Sequence, residues 1–194
     1  MIEDYLKVEG INQILEQISI LSEEFDEEVS KLISPEAKAS EIEHAIKHEI
    51  NIKLDENPVF YESLRERLER IIEDYRQRRI DEAERLRALQ EILEEARSPE
   101  KHAERLGVDP DVAPFYELIL AKSDAEADLL KPAAQKIHSA LKERAVVDWQ
   151  QKEDTKRDMR RKIKRILREV GYPPEEIQDT TVRIVDLAAR RFAG

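Results

Sequence analysis

The sequence predicts an all-α fold, an irregular bundle of about seven to nine helices with no sheet of consequence. Three observations carry this. Only four glycines (Gly10, Gly107, Gly171 and Gly194) punctuate 194 residues. Hydrophobic and charged residues each make up 40% of the chain, in a mixture of Glu, Arg, Leu, Ala and Ile that favours helix. Apolar residues recur at three- and four-residue spacing along most of the length. Aromatics are scarce at 5%, so aliphatic packing must build most of the core.

The elements follow in order. A first helical region runs from about Ile2 to Ile33, with Ile11, Ile14, Leu15, Ile18 and Leu21 inward and a possible interruption at Gly10. Ser34-Pro35-Glu36 starts the next helix with a capping serine and a first-turn proline. It runs through Ile42, Ala45, Ile46 and Ile50 to about Leu54. Asn57-Pro58 marks a boundary, because the residue before proline is pushed out of helical geometry. An amphipathic helix follows, with Phe60, Leu64, Leu68, Ile71, Ile72 and Tyr75 as its stripe. Residues 76–79 (RQRR) are polar. A helix from about Ile80 to Ala96 turns Ile80, Ala83, Leu86, Leu89, Ile92 and Leu93 inward.

Ser98-Pro99-Glu100 repeats the start signal, and Gly107 closes the short helix that it opens. Asp109-Pro110 opens another, holding Phe115, Tyr116, Leu118 and Leu120. A helix near Leu129–Ala145 comes next. Ala145-Val146-Val147-Asp148-Trp149 reads as an extended piece, with Trp149 as a core anchor. Residues 152–170 form a basic amphipathic helix with Met159, Ile163, Ile166, Leu167 and Val170 on one side, ended by Gly171. Tyr172-Pro173-Pro174-Glu175 starts the last helix, whose inward positions are Ile177, Ile184, Leu187, Ala188 and Phe192. No repeat or low-complexity segment is seen. The organisation expected is a single helical domain over 1–194, with a weak break near 98–109 that would divide it into two subdomains.

Charge is unevenly spread. The net charge is −11, which as a whole repels nucleic acid. Residues 1–60 carry 15 acidic and five basic side chains, whereas residues 150–170 carry nine basic and four acidic ones. Any nucleic-acid contact belongs in the C-terminal third. Cysteine is absent, which excludes disulfides and thiolate metal sites and fits a cytoplasmic protein. The N-terminus, MIEDYLKVEG, is acidic and lacks the apolar run of a signal peptide. No apolar stretch approaches a membrane span.

Chemistry-bearing motifs are missing. No glycine stands beside a Lys-Ser/Thr pair or in a dinucleotide fingerprint, so no glycine-rich loop binds ATP here. His44 and His48 have metal-ligand spacing, with Glu41 one turn earlier, but the metalloprotease motif needs a Glu where Ala45 stands. Surface histidines are the plainer reading. A carboxylate di-metal site needs Glu-x-x-His on two helices, and only Glu41 with His44 fits. His102 and His138 have no obvious partner. Glu62, Glu66, Glu69 and Glu73, beside Arg65, Arg67 and Arg70, suit intrahelical pairing on a solvated face. No catalytic, cofactor-binding or metal-binding residue is assigned.

The basic cluster is the strongest local signal. Lys156, Arg157, Arg160, Arg161, Lys164, Arg165 and Arg168, with Lys152 and Lys162, suit DNA phosphate or an acidic partner surface. The same residues could instead form a solvated face paired with this chain's own acids.

Two segments resemble one family. NPVFYESLRERLERIIEDYRQRRIDEAERLRALQEI (57–92) and VVDWQQKEDTKRDMRRKIKRILREVGYPPEE (146–176) are similar to the C-terminal helical region of the restriction (R) subunit of type I restriction-modification enzymes. HAIKHEINIKLDENP (44–58) resembles the stretch just upstream. The likeness covers about 40–193 and is weaker over 98–140. It implies a module of an ATP-dependent DNA translocase and nuclease that docks the R subunit onto the methylation and specificity subunits. ATP and magnesium would belong to the parent enzyme, since this chain has none of the family's nuclease or motor motifs. It also implies either an excised piece of a longer protein or a free-standing version of this region. The alternative is a module contacting the DNA backbone through the basic helix 152–170.

Overall fold

The computed structural model describes residues 19–123, 125–145 and 149–192. Among these there are nine α-helices, one 3-10 turn and no strand. The fold is all-α. The helices are α1 (Glu23–Lys31), α2 (Pro35–Lys53), α3 (Pro58–Arg76), α4 (Glu82–Ala96), α5 (Pro99–Leu106), α6 (Ala113–Leu120), α7 (Ala127–Lys142), α8 (Glu153–Glu169) and α9 (Ile177–Arg191), with the 3-10 turn at Trp149–Gln151. The chain divides into two compact units. One holds residues up to Leu54 and Tyr61–Pro99, and the other holds Asp55–Phe60 and everything from Glu100 on.

The first unit is set up by side-chain caps. Ser22 accepts from the Phe25 amide at 3.3 Å and starts α1. Ser34 accepts from Ala37 at 3.0 Å, ahead of Pro35, and starts α2. Asp81 and Glu84 form a reciprocal capping box at the start of α4, which satisfies two backbone donors that a helix end leaves open. Helix α2 packs on α4, and α1 on α2. Ile42, Ile46 and Ile50 are buried on α2, and Leu89, Ile92 and Leu93 on α4. Each such side chain contributes about 1.5–3 kcal/mol by leaving water. Arg97 ties the start of this unit to its end: its Nε donates to the Ile20 carbonyl at 2.5 Å, and Nη2 pairs with Asp26 at 2.8 Å.

Several sequence expectations change here. The helix expected over 2–33 is broken in its described part, because Ser19–Ser22 makes a turn and Ser22 caps a new helix; residues 1–18, and with them Ile11, Ile14, Leu15 and Ile18, lie outside the described residues. Leu21, expected inward, is 61% exposed. Ala83 is exposed, and Ile71, Ile72, Tyr75, Ile80 and Leu86 are only half-buried, whereas Leu64 and Leu68 are buried. Helix α4 starts at Glu82 rather than Ile80, because the capping box fixes its first turn.

The second unit is a ring of four helices: α6 packs on α7, α7 on α8, α8 on α9, and α9 back on α6. Helix α6 reads APFYELIL and buries every residue from Ala113 to Ile119. Its apolar residues point all round, as a central helix requires. Phe115, Ile137, Leu141, Trp149, Met159, Ile163, Leu167, Tyr172, Ile184 and Leu187 complete this core. Helices α5 and α8 close in matching backbone turns. The Val108 amide donates to the Ala103 carbonyl and Gly107 to Glu104, while Tyr172 donates to Leu167 and Gly171 to Arg168. Both glycines have φ near +70°, where a Cβ would be strained.

Three boundaries in this unit also shift. Helix α6 begins at Ala113, because Asp109 first makes a turn in which its side chain accepts from the Asp111 amide. Helix α7 spans Ala127–Lys142 rather than Leu129–Ala145. Helix α9 begins at Ile177 rather than within Tyr172–Glu175, and Tyr172 stands before it. This tyrosine is buried, its hydroxyl donating to the Ile119 carbonyl and sharing a hydrogen bond with Thr180, both at 3.1 Å; burial pushes its pKa up. The extended piece expected at Val146-Val147 lies outside the described residues.

Candidate functional site

Helix α8 presents the cations singled out from the sequence. Met159, Ile163, Ile166 and Leu167 anchor its inner face. Trp149, 2% exposed, sits just before it and donates from Nε1 to the Phe192 carbonyl at 3.4 Å. Gln150 donates to the Ala189 carbonyl at 2.7 Å. The chain therefore enters α8 fastened to the end of α9.

The cations divide along the helix. In its first half Lys156 pairs with Glu153 at 2.9 Å and Arg157 with Asp154 at 3.1 Å, while Arg160 reaches Glu153 at 3.8 Å. The hydrogen bond from Lys156 holds the Glu153 carboxyl below its ordinary pKa. In its second half no pair is shorter than 3.6 Å: Arg161 to Asp158 and Arg165 to Glu169, both at 3.6 Å, and Lys162 to Glu143 of α7 at 3.9 Å. Lys164 donates to Gln178 of α9. Arg168 is exposed and has no ion-pair partner among the described residues. Alongside, a groove of about 510 Å³ between α7 and α8 is lined by Pro132, Gln135, Ser139, Ala140, Lys162 and Ile166, among others.

A second constellation was not foreseen. Glu117 of α6 is 6% exposed and holds two partners. The Asn57 amide donates to Oε2 at 2.6 Å, and His102 Nε2 lies 2.8 Å from Oε1. Asn57 Oδ1 in turn accepts from the Phe60 amide at 3.3 Å, capping α3, and the Phe60 ring lies 4.5 Å from the His102 ring. Arg190 pairs with Asp55 at 2.7 Å, and Arg191 donates to the Glu56 carbonyl at 2.9 Å. These bonds are why Asp55–Phe60 belongs with the second unit. The partnerless reading of His102 is thereby corrected, since its partner is too distant in sequence for spacing to reveal. His138 also has neighbours, the rings of Phe115 and Phe192 at 5.8 and 5.9 Å, and burial lowers its pKa.

The possible metal set on α2 does not converge: His44 and His48 are exposed, while Glu41 is turned into the core. Among the described residues no group of three or more His, Asp or Glu is placed to hold a metal ion. No helix among them is long and apolar enough to cross a membrane.

The family of type I restriction enzyme HindI endonuclease subunit-like C-terminal regions matches residues 1–192. The chain belongs to this family. Two curated relatives agree. It is 27% identical over 163 residues to the putative type I restriction enzyme MjaIXP endonuclease subunit of Methanocaldococcus jannaschii, covering 80% of this chain and 15% of that protein. It is 24% identical over 176 residues to the type I restriction enzyme HindI endonuclease subunit of Haemophilus influenzae, covering 89% of this chain and 17% of that protein. The chain thus spans less than a fifth of the length of the curated relatives that it matches. No solved structure matches it. In this chain the NPVFY segment (57–61) has a definite structural role. Asn57 caps α3 and binds Glu117, Pro58 starts the helix, and Phe60 and Tyr61 are buried.

Proposed function

We propose that this chain is a helical docking module of a type I restriction endonuclease subunit. In this reading it attaches that subunit to the methylation and specificity subunits and performs no chemistry itself. The observation that carries it is the match of residues 1–192 to a family formed by the C-terminal regions of such endonuclease subunits, on a chain whose sequence offers no nucleotide-binding loop. ATP- and magnesium-dependent translocation and cleavage would reside in the rest of the parent protein. Charge supports a protein partner: residues 1–54 and 61–99 carry 24 acidic against 14 basic side chains, which suits a basic protein surface and disfavours DNA.

Calorimetric titration of the folded chain into a methyltransferase core assembled from methylation and specificity subunits tests this. Saturable binding with a Kd of about 1 μM or tighter is expected, near −8 kcal/mol. Absence of binding by a chain with full helical circular dichroism would sink the proposal.

A further inference from the structure

We infer that the second half of α8 is a contact surface for the phosphodiester backbone of duplex DNA, made by Arg161, Lys164, Arg165 and Arg168. This goes beyond docking and stands without it. Between Met159 and Arg168 the sequence places six cations and no acid. The four named positions are spaced i, i+3, i+4 and i+7, so they share one face, away from buried Met159, Ile163 and Ile166. The side chains of Arg161 and Arg165 are 74% and 69% exposed. Their ion pairs are long and sit at the two ends of the row, on Asp158 and Glu169. The first half of the helix is different, since Glu153 and Asp154 pair closely with Lys156 and Arg157.

Helix polarity does not account for the row. The negative end of a helix favours cations within its last turn. That covers Arg168 and leaves out Arg161, two turns earlier. A protein interface fits less well, because binding energy between proteins centres on desolvated aromatic or aliphatic anchors. Every exposed residue from Arg160 to Glu169 is charged. Phosphate binding needs no such anchor. It draws on counterion release, and a row about 10 Å long spans several phosphates of a duplex that carries one charge per about 1.7 Å of axis. Contacts to phosphate carry no sequence information directly, so binding through this row is independent of sequence.

The test uses the whole chain and a fluorescent duplex of about 30 base pairs, titrated between about 20 and 200 mM KCl. With four phosphate contacts, log K should fall against log salt with a slope of about −3 to −4. Replacing Arg161, Lys164, Arg165 and Arg168 together by Gln should weaken binding at least about tenfold at the lowest salt and flatten the slope. Replacing Lys152, Lys156 and Arg157 by Gln should change affinity less than about threefold, their charges being largely offset by neighbouring acids. Arg168→Glu alone, at an exposed position, should weaken binding while leaving the circular dichroism unchanged. Four results would overturn the assignment: no binding by the wild-type chain at low salt, equal losses in the two multiple variants, tighter binding of duplex RNA, or loss of methyltransferase-core binding by the quadruple variant with DNA affinity intact. The last result would make the row a protein contact.

Discussion

Residues 1–54 and 61–99 carry 24 acidic and 14 basic side chains, whereas 55–60 and 100–194 carry 20 and 19. The two units also join their helices differently. In the first, ion pairs link the helices: Arg85 to Glu43 at 2.7 Å, both largely buried, and nearer the surface Arg97 to Asp26 at 2.8 Å and Arg67 to Glu95. In the second, polar links run through the interior, at Glu117 and at Tyr172. Surface pairs are screened by salt and each contributes little, while a buried carboxylate costs a great deal once it or its partners are left alone. The comparison teaches that the second unit places long-range polar contacts in its interior, whereas the first carries most of its own nearer the surface.

The strongest way to break this contrast is Glu117→Ala. It leaves the Asn57 amide and His102 without their acceptor, and a loss of about 3 kcal/mol is expected. Urea unfolding followed by Trp149 fluorescence measures it, because the only Trp in the chain lies in the second unit. A loss below about 1 kcal/mol would mean that the buried network is dispensable.

Arg85→Ala is the counterpart in the first unit, with an expected cost of about 2 kcal/mol. Burial pushes the Glu43 carboxyl up, but hydrogen bonds from Lys47 and Arg85 outweigh it and hold the pKa below 4.5. The contribution of Glu43 is therefore present above pH 4.5 and lost as pH falls further. The penalty in Arg85→Ala, read by circular dichroism, should shrink on acidification. A penalty that stays constant down to low pH would assign it to the contact of Arg85 with the Tyr75 ring, 4.5 Å away.

Arg78→Gly sharpens the comparison from the other side. Helix α3 ends in the same backbone turn as α5 and α8, with Arg79 donating to Asp74 and Arg78 to Tyr75, but Arg78 stands at φ +56° where the second unit uses glycine. Glycine there should stabilise the first unit by about 1 kcal/mol. An unchanged thermal midpoint would show that Arg78 is not strained.

The smallest effect expected is acid sensitivity at His138. Burial lowers its folded pKa below 6.5, so the unfolded chain binds the proton first and stability falls as pH drops through 6.5. His138→Gln should remove this part of the pH dependence. An identical loss between pH 7 and pH 5 in the variant would place the acid sensitivity elsewhere.

The fold was legible wherever its cause is local. Ser34-Pro35 and the glycine at 171 mark helix ends within a few residues, and the apolar spacing of α8 identifies its inner face. Faces were misread where a turn interrupts the helical spacing, as at Leu21, and where the spacing runs on into an exposed first turn, as at Ala83. Glu117 could not have been found, being one of 44 acidic residues with partners 60 and 15 positions away. On α8 the sequence displayed eight cations, and the geometry sorted them into those tightly paired with their own helix and those held loosely.

The strap at Asp55–Phe60 has a consequence for synthesis. Its partners Arg190 and Arg191 lie 135 residues later in the chain. At translation rates of about 5–20 residues per second, the strap waits roughly 7–27 seconds after it is made before those arginines exist. Residues on either side of it can meet their own neighbours sooner. The second unit therefore finishes folding around a piece of chain that was produced in the middle of the first. Cutting the polypeptide after Pro99 would separate that piece from Glu117, Arg190 and Arg191.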